Sequence, residues 1–209
     1  RLPTVAQRGD RGVVVHFRSC GRKPNLLARS YHAGDGDEID WILRRLRSEN
    51  PGGRIFATGY SLGGAALLKW LGEPHRNCHE VIDRAAAASA PVDLAVTAQA
   101  LGRGFGLVYS WLFLRTLKPK SFEKLERFPD CFDGAALRRA RTLDDFEDIV
   151  TAPVHGFRDA ADYYARASAK SGLRNIAVPT LIVTARNDPI VPPESMANLQ
   201  VSGEVTLER

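Results

Sequence analysis

A serine held between two glycines, Gly59-Tyr60-Ser61-Leu62-Gly63, follows the apolar run Ile55-Phe56-Ala57-Thr58 and precedes Gly64-Ala65-Ala66-Leu67-Leu68-Lys69-Trp70-Leu71. A short strand that enters a helix through such a turn commits the chain to a sheet flanked by helices, with the serine at the top of its strand. The turn lifts the Ser61 hydroxyl above the sheet edge and aims the following N–H groups at the same space. Gly59 and Gly63 are read as positions where a side chain would strike the neighbouring helix or strand. Apolar character all round 65–71 predicts a helix buried against the sheet. A glycine-rich turn with a solvated serine is the plain alternative; the strand before and the helix after favour the elbow.

The rest of the chain repeats the alternation. Gly12-Val13-Val14-Val15-His16-Phe17 is β-branched and apolar, so it is predicted as a buried strand, with His16 in the core. The loop Cys20-Gly21-Arg22-Lys23-Pro24-Asn25 follows. Ile39, Ile42, Leu43 and Leu46 recur at helical spacing over 35–49, with Asp37 and Glu38 in the first turn and arginines in the last. Asp40 and Arg44 form a favourable pair four residues apart, and Pro51-Gly52-Gly53 stops the helix. Strands are predicted at 54–58, within 81–90, at 180–184 and at 204–207, with a short helix over 193–199. Strands separated by helices imply a mainly parallel sheet.

The stretch 94–170 breaks the pattern. Phe105, Leu107, Val108, Trp111, Leu112, Leu114 and Leu117 predict an apolar helix over 105–117, and Thr142-Leu143-Asp144-Asp145 has the form of a capping box with aspartate in place of glutamate. This region reads as a helical insertion that lids the serine while burying one face on the sheet. The whole is one α/β domain, 1–209.

A serine hydroxyl needs a base, an acid that orients the base, and donors for an oxyanion. Asp188, in Ala185-Arg186-Asn187-Asp188-Pro189, follows the strand 180–184 at the carboxyl edge where such sites collect. A turn-capping aspartate is the alternative role, and Asp93 is the alternative acid. The N–H of Leu62 supplies one oxyanion donor. In the chain order serine, acid, histidine the base should follow Asp188, yet the histidines are His16, His32, His75, His79 and His155, all upstream. His32 and His155 lie in loops that could approach the site. The second oxyanion donor belongs to a loop before residue 1. The chain therefore reads as an interior piece, with a histidine expected in a glycine-rich loop within about fifteen positions after residue 209.

Composition narrows the class. With 209 residues, 44% hydrophobic and 25% charged, the chain can bury a core. No run approaches the ~20 apolar residues of a bilayer span, and Arg1-Leu2-Pro3-Thr4 opens no secretory apolar core. The net charge of +5 is scattered among acids and apolar residues, which argues against nucleic acid. Cys20, Cys78 and Cys131, an odd set at wide spacing, suit free thiols in a reducing, cytoplasmic setting. His75, Cys78 and His79 lack a fourth ligand, so no metal or other cofactor is expected.

Several runs together resemble the YheT-like branch of the α/β-hydrolase superfamily, bacterial proteins assigned as carboxylesterases and related to the animal abhydrolase-domain lipid esterases. Val15 to Gly21 resembles its strand and R-G-C/S-G loop, with Ser19 where glycine is usual. Arg29-Ser30-Tyr31-His32-Ala33-Gly34-Asp35 resembles its S-Y-H-x-G segment. Gly59 to Trp70 resembles its elbow and helix; Thr151 to Phe157 with Asp162-Tyr163-Tyr164 resembles its lid exit; Pro179 to Pro192 resembles its acid loop. The resemblance covers nearly the whole chain. It implies an α/β-hydrolase fold, Ser61 as nucleophile and Asp188 as acid, with an upstream H-G oxyanion loop and a downstream G-G-H base. It implies a carboxylic ester hydrolase taking small-molecule or lipid-like esters, with peripheral membrane contact and oligomeric state left open. Acyl transfer, thioester hydrolysis and a non-catalytic scaffold on the same fold remain alternatives.

Overall fold

The computed structural model describes residues 3–21 and 25–209, with Pro3 and Thr4 described in backbone only. Arg22, Lys23 and Pro24 of the predicted loop lie outside the described residues. Helix α1 (Pro3–Gln7) is followed by α2 (Gly36–Glu49), strand β1 (Phe56–Tyr60), helix α3 (Leu62–Leu71), strand β2 (Arg84–Ala88), then a long helical segment before β3 (Thr180–Val183) and β4 (Val205–Glu208). The four strands are parallel and lie in the order β1-β2-β3-β4. Tyr60, Ala88, Val183 and Glu208 stand opposite one another, so all four strands end at one level. A parallel neighbour requires a crossover, which α3 and the helical segment provide.

The core fills where the pattern is apolar on all sides. Leu67, Leu68, Trp70 and Leu71 of α3 are buried against Val81, Ile82, Ala85, Ala87 and Ile182, while Ala65 is buried among Ala33, Leu94, Ala98 and Tyr163. Alanines in β2 leave room for this close packing of helix on strand. The Trp70 indole N–H donates to Asp40 Oδ1 (2.8 Å), and Arg44 Nε pairs with Asp40 Oδ2 (2.8 Å), which ties α2 to α3. Beyond Leu71 the helix meets another chain segment directly. A Cβ at Gly72 would lie 2.8 Å from the Gly172 backbone, and one at Gly172 would lie 3.1 Å from that of Gly72.

Between β2 and β3 run α4 (Leu94–Leu101), α5 (Gly106–Arg127), α6 (Gly134–Arg139), α7 (Leu143–Phe146), a π-helical turn (Glu147–Thr151), α8 (Ala152–His155) and α9 (Ala160–Ala167). This segment has a small core of its own, Leu114, Phe132, Leu137, Ala140, Phe146 and Val150. The Thr142 capping box is present, with Thr142 Oγ1 accepting from Asp145 N–H and Asp145 accepting from Thr142 N–H. Helix α5 outruns its predicted end and passes through Pro119, which is exposed; a carbonyl freed there can turn to water.

Two expectations fail. Residues 12–17 form no strand, and Val13, Val14 and Val15 are 47%, 61% and 44% exposed. His16 is exposed too, not in the core. β-branched composition suits a pleated surface, but a strand also needs a hydrogen-bonding neighbour, and this run has none among the described residues. Smaller shifts concern boundaries. β1 starts two residues late, 81–90 narrows to Arg84–Ala88, and 193–199 shrinks to a 3₁₀ turn, Pro193–Met196.

Candidate active site

Ser61 occupies a conformation that the elbow demands. Its φ is +50° and its ψ −123°, and it sits between the last residue of β1 and the first of α3. Such a backbone is strained for a side-chain-bearing residue. Two close contacts hold it. A Cβ at Gly59 would fall 2.5 Å from the Gly63 carbonyl oxygen and 2.6 Å from Gly64 Cα. One at Gly64 would fall 2.9 Å from Ala90 Cβ and 3.1 Å from the Gly59 carbonyl oxygen. The expectation for Gly63 is corrected here. Its Cβ would meet only a ring carbon of Phe17, at 3.8 Å. The second tight position is one residue later than the motif suggests, because Gly64 is where α3 turns back over β1.

The sheet ladder continues into this turn. Ser61 N–H donates to Ala88 O (2.9 Å), Ser89 N–H to Val183 O (2.8 Å) and Thr184 N–H to Glu208 O (3.0 Å). Ser61, Ser89 and Thr184 therefore form one row along the carboxyl edge. Ser61 is exposed, and Tyr60 beside it is 72% exposed. Leu62 opens α3, so its N–H lies in the first turn, where donors have no intrahelical acceptor.

Asp188 stands four residues beyond Thr184 on the same edge. Its Oδ1 accepts from Ile190 N–H (2.9 Å) and Val191 N–H (3.0 Å), which closes the turn. Partial burial pushes its carboxyl upward, but the Val191 and Ile190 donors and the Ser89 side chain outweigh this and hold it below the usual carboxylate range. Ser89, also at positive φ (+49°), thus acts on the Asp188 carboxyl from the end of the strand between it and Ser61. Sequence reasoning passed over Ser89; its one signal is a serine closing the alanine strand. Asp93 is occupied elsewhere: Oδ1 caps α4 at Val96 N–H (3.2 Å) and Oδ2 pairs with Lys170 (3.0 Å).

The two loop histidines meet each other, with ring centroids 4.5 Å apart. His155 Nδ1–H donates to Thr151 O (2.8 Å), and its Nε2 accepts from Ser30 N–H (3.1 Å). His32 Nδ1 accepts from Gly34 N–H (3.1 Å), and its ring packs on Phe157 and Tyr163. Burial, aided by His155 and Arg29, lowers the His32 pKa to about 3. Tyr163 Oη accepts from Ala33 N–H (3.1 Å). These rings bind the 29–35 loop to the helical segment, and neither histidine is hydrogen-bonded to Ser61 among the described residues. His75 and His79 lie in 3₁₀ turns past the far end of α3. Cys78 is core, its thiol donating to Trp70 O (3.4 Å) and pushed up to about 12 by burial. Among the described residues no group of three His, Cys, Asp or Glu side chains is placed to hold a metal ion.

A cleft of about 1390 Å³ runs between α4 and α9, lined by Asp93, Gln99, Tyr164, Lys170 and Arg174 among others, and reaches neither Ser61 nor Asp188.

Parallel strands, a serine elbow after one and an aspartate loop two strands on define an α/β-hydrolase. The chain belongs to the family whose model is described as "Serine aminopeptidase, S33", which matches residues 35–205. It is 38% identical over 192 residues to YheT of Escherichia coli (strain K12), whose name carries an esterase assignment; the match covers 91% of this chain and 56% of that one. It is 28% identical over 186 residues to a monoacylglycerol lipase of Saccharomyces cerevisiae, covering 85% of this chain and 41% of that one. Among solved structures, an esterase of Exiguobacterium antarcticum superposes with a TM-score of 0.54 at 17% identity, covering 99% of this chain and 75% of that one. The chain spans about half the length of the curated relatives it matches.

Proposed function

We propose that this chain carries the nucleophile and the acid of a serine hydrolase acting on carboxylic esters, with an acyl or lipid-like group as the part bound. The observation that carries the reading is Ser61 at φ +50° on the strand-to-helix turn, at the edge that also bears Asp188. The Ser61 oxygen attacks the ester carbonyl as a base takes its proton, which is later given to the departing alcohol; the carbonyl π electrons move to oxygen, and the Leu62 N–H meets that developing charge. Collapse expels the alcohol and leaves an acyl-enzyme, which water hydrolyses to the acid and free Ser61. Asp188 Oδ2, free of the turn, orients the base; Ser89 steadies the carboxylate. His32 and His155 are bound into the loop contact and are not assigned as that base. The helical segment acts as the lid and lines the acyl side. The esterase and lipase names of the relatives support this class of substrate.

The test is covalent labelling of the full-length protein with a fluorophosphonate, alongside turnover of short- and long-chain esters. Labelling should vanish in Ser61→Ala, and Asp188→Ala should lower kcat/KM by about 10³-fold or more. Labelling that survives Ser61→Ala would sink the assignment, and no preference for acyl over short polar esters would remove the acyl group from it.

A further inference from the structure

Helix α5 buries one side only, through Ser110, Leu114 and Ser121, with Leu117 half-buried beside them. The exposed apolar residues of its first turns are Phe105, Leu107, Val108, Trp111 and Leu112; at 100° per residue Phe105, Val108 and Leu112 point away from the buried side, Trp111 lies on its flank and Leu107 nearer to it. In chain order the five are 71%, 44%, 44%, 54% and 45% exposed. A helix on a protein surface normally turns charge outward. Here the outward side becomes polar only from Arg115 and Thr116 on, with Glu123, Glu126 and Arg127 exposed further along.

Along this part of the sequence the charges have one sign. From Leu94 to Phe122 the sequence holds Arg103, Arg115, Lys118 and Lys120 and no Asp or Glu. Arg103 and Arg115 are exposed at the two ends of the patch, and the Arg115 guanidinium lies 4.9 Å from the Trp111 ring centroid. Lys118 and Lys120 donate to the carbonyls of Arg138, Ala140 and Ser19. Aromatic and aliphatic side chains with a cationic rim suit the boundary between acyl chains and negative headgroups. No described helix is long and apolar enough to cross a membrane, so such contact would lie in the interface plane.

We propose that the outer face of α5 docks this protein on an anionic phospholipid surface, with Trp111, Leu112, Phe105 and Val108 inserted and Arg103 and Arg115 on the headgroups. The docking does not depend on the chemistry at Ser61.

The test is co-sedimentation of the full-length protein with vesicles of phosphatidylcholine alone and of phosphatidylcholine with 30% phosphatidylglycerol (about a third anionic, the range in which basic clusters respond). Binding should favour the anionic vesicles by about tenfold or more and weaken with salt. Trp111→Ser/Leu112→Ser should lose it about tenfold while keeping the native circular dichroism, since both side chains are exposed. Arg103→Glu/Arg115→Glu should abolish the anionic preference alone. Ser61→Ala should bind like the parent even if it labels like the parent, which separates this proposal from the hydrolase reading. Absence of anionic binding, or binding untouched by the Trp111/Leu112 change, overturns it. So does loss of a concentration-dependent dimer in that variant with no change in vesicle binding, which would make the patch a contact between copies.

Discussion

Gly59 and Gly63 frame Ser61 symmetrically in the sequence and unequally in space. The first has the Gly63 carbonyl oxygen 2.5 Å from where its Cβ would stand; the second has open contact. Gly59→Ala should therefore cost about 2–4 kcal/mol, whereas Gly63→Ala, in the first turn of α3, should change stability by about 0.5 kcal/mol or less in either direction. Urea melts of the two variants separate these outcomes; equal losses would show that the symmetric reading of the motif was right after all. The serine's own strain was legible from its neighbours, since a strand, a glycine and a buried helix leave few ways round the corner. The Gly64 contact was not, because it depends on where α3 crosses β1. Ser89 was equally hidden: its action on Asp188 arises from strand order, which no local pattern states.

At the scale of elements, α2, α3, β1, β3 and β4 were readable within a few residues from periodicity and punctuation. The run 12–17 was not, for the reason that strands are defined by partners and helices by themselves. The length of α5 beyond 117 was also missed, since a proline in the pattern argues for a stop unless it faces solvent. The join between α3 and the 3₁₀ turn at 170–175 is of a third kind, made by the bare backbones of Gly72 and Gly172. A methyl at either glycine forces the same two segments apart. Gly72→Ala and Gly172→Ala should each cost about 1–3 kcal/mol. The double variant should cost less than their sum by about 0.5 kcal/mol or more, because the gap is opened once. Strict additivity in a double-mutant cycle would show that the two strains relax separately.

Across the whole molecule, two half-buried groups with opposite signs shape the response to pH. Glu147, in the π-helical turn, keeps Oε2 sheltered without a partner. Burial raises its carboxyl to about 7, against the bond from Thr151, with Asp144 adding to the rise. The folded state thus holds a proton that the unfolded chain releases near its ordinary 4.5. This contribution is full below that value and fades as pH climbs to about 7. His32, lowered from 6.5 to about 3, acts in reverse: the unfolded chain takes the proton first, so stability drains away as pH falls below 6.5. Glu147→Gln should raise stability at pH 8 by about 1–3 kcal/mol and leave it little changed at pH 4. His32→Asn, whose Oδ1 can accept from Gly34 in place of Nδ1, should flatten the acid limb. Thermal melts between pH 4 and pH 8 read both; a Glu147→Gln gain that is the same at every pH would refute the linkage.

The hydroxyl row at the sheet's lip has a consequence for how this edge can fail. Ser61, Ser89 and Thr184 each hang from the rung that follows their strand's last paired residue. The ladder is therefore the gauge against which the Ser61 oxygen is set, much as a shelf height is set by its pegs. Sliding any strand by a single residue would turn its hydroxyl from one side of the sheet to the other. At this edge the position of the Ser61 hydroxyl depends on correct strand alignment, and a slipped register loses both together.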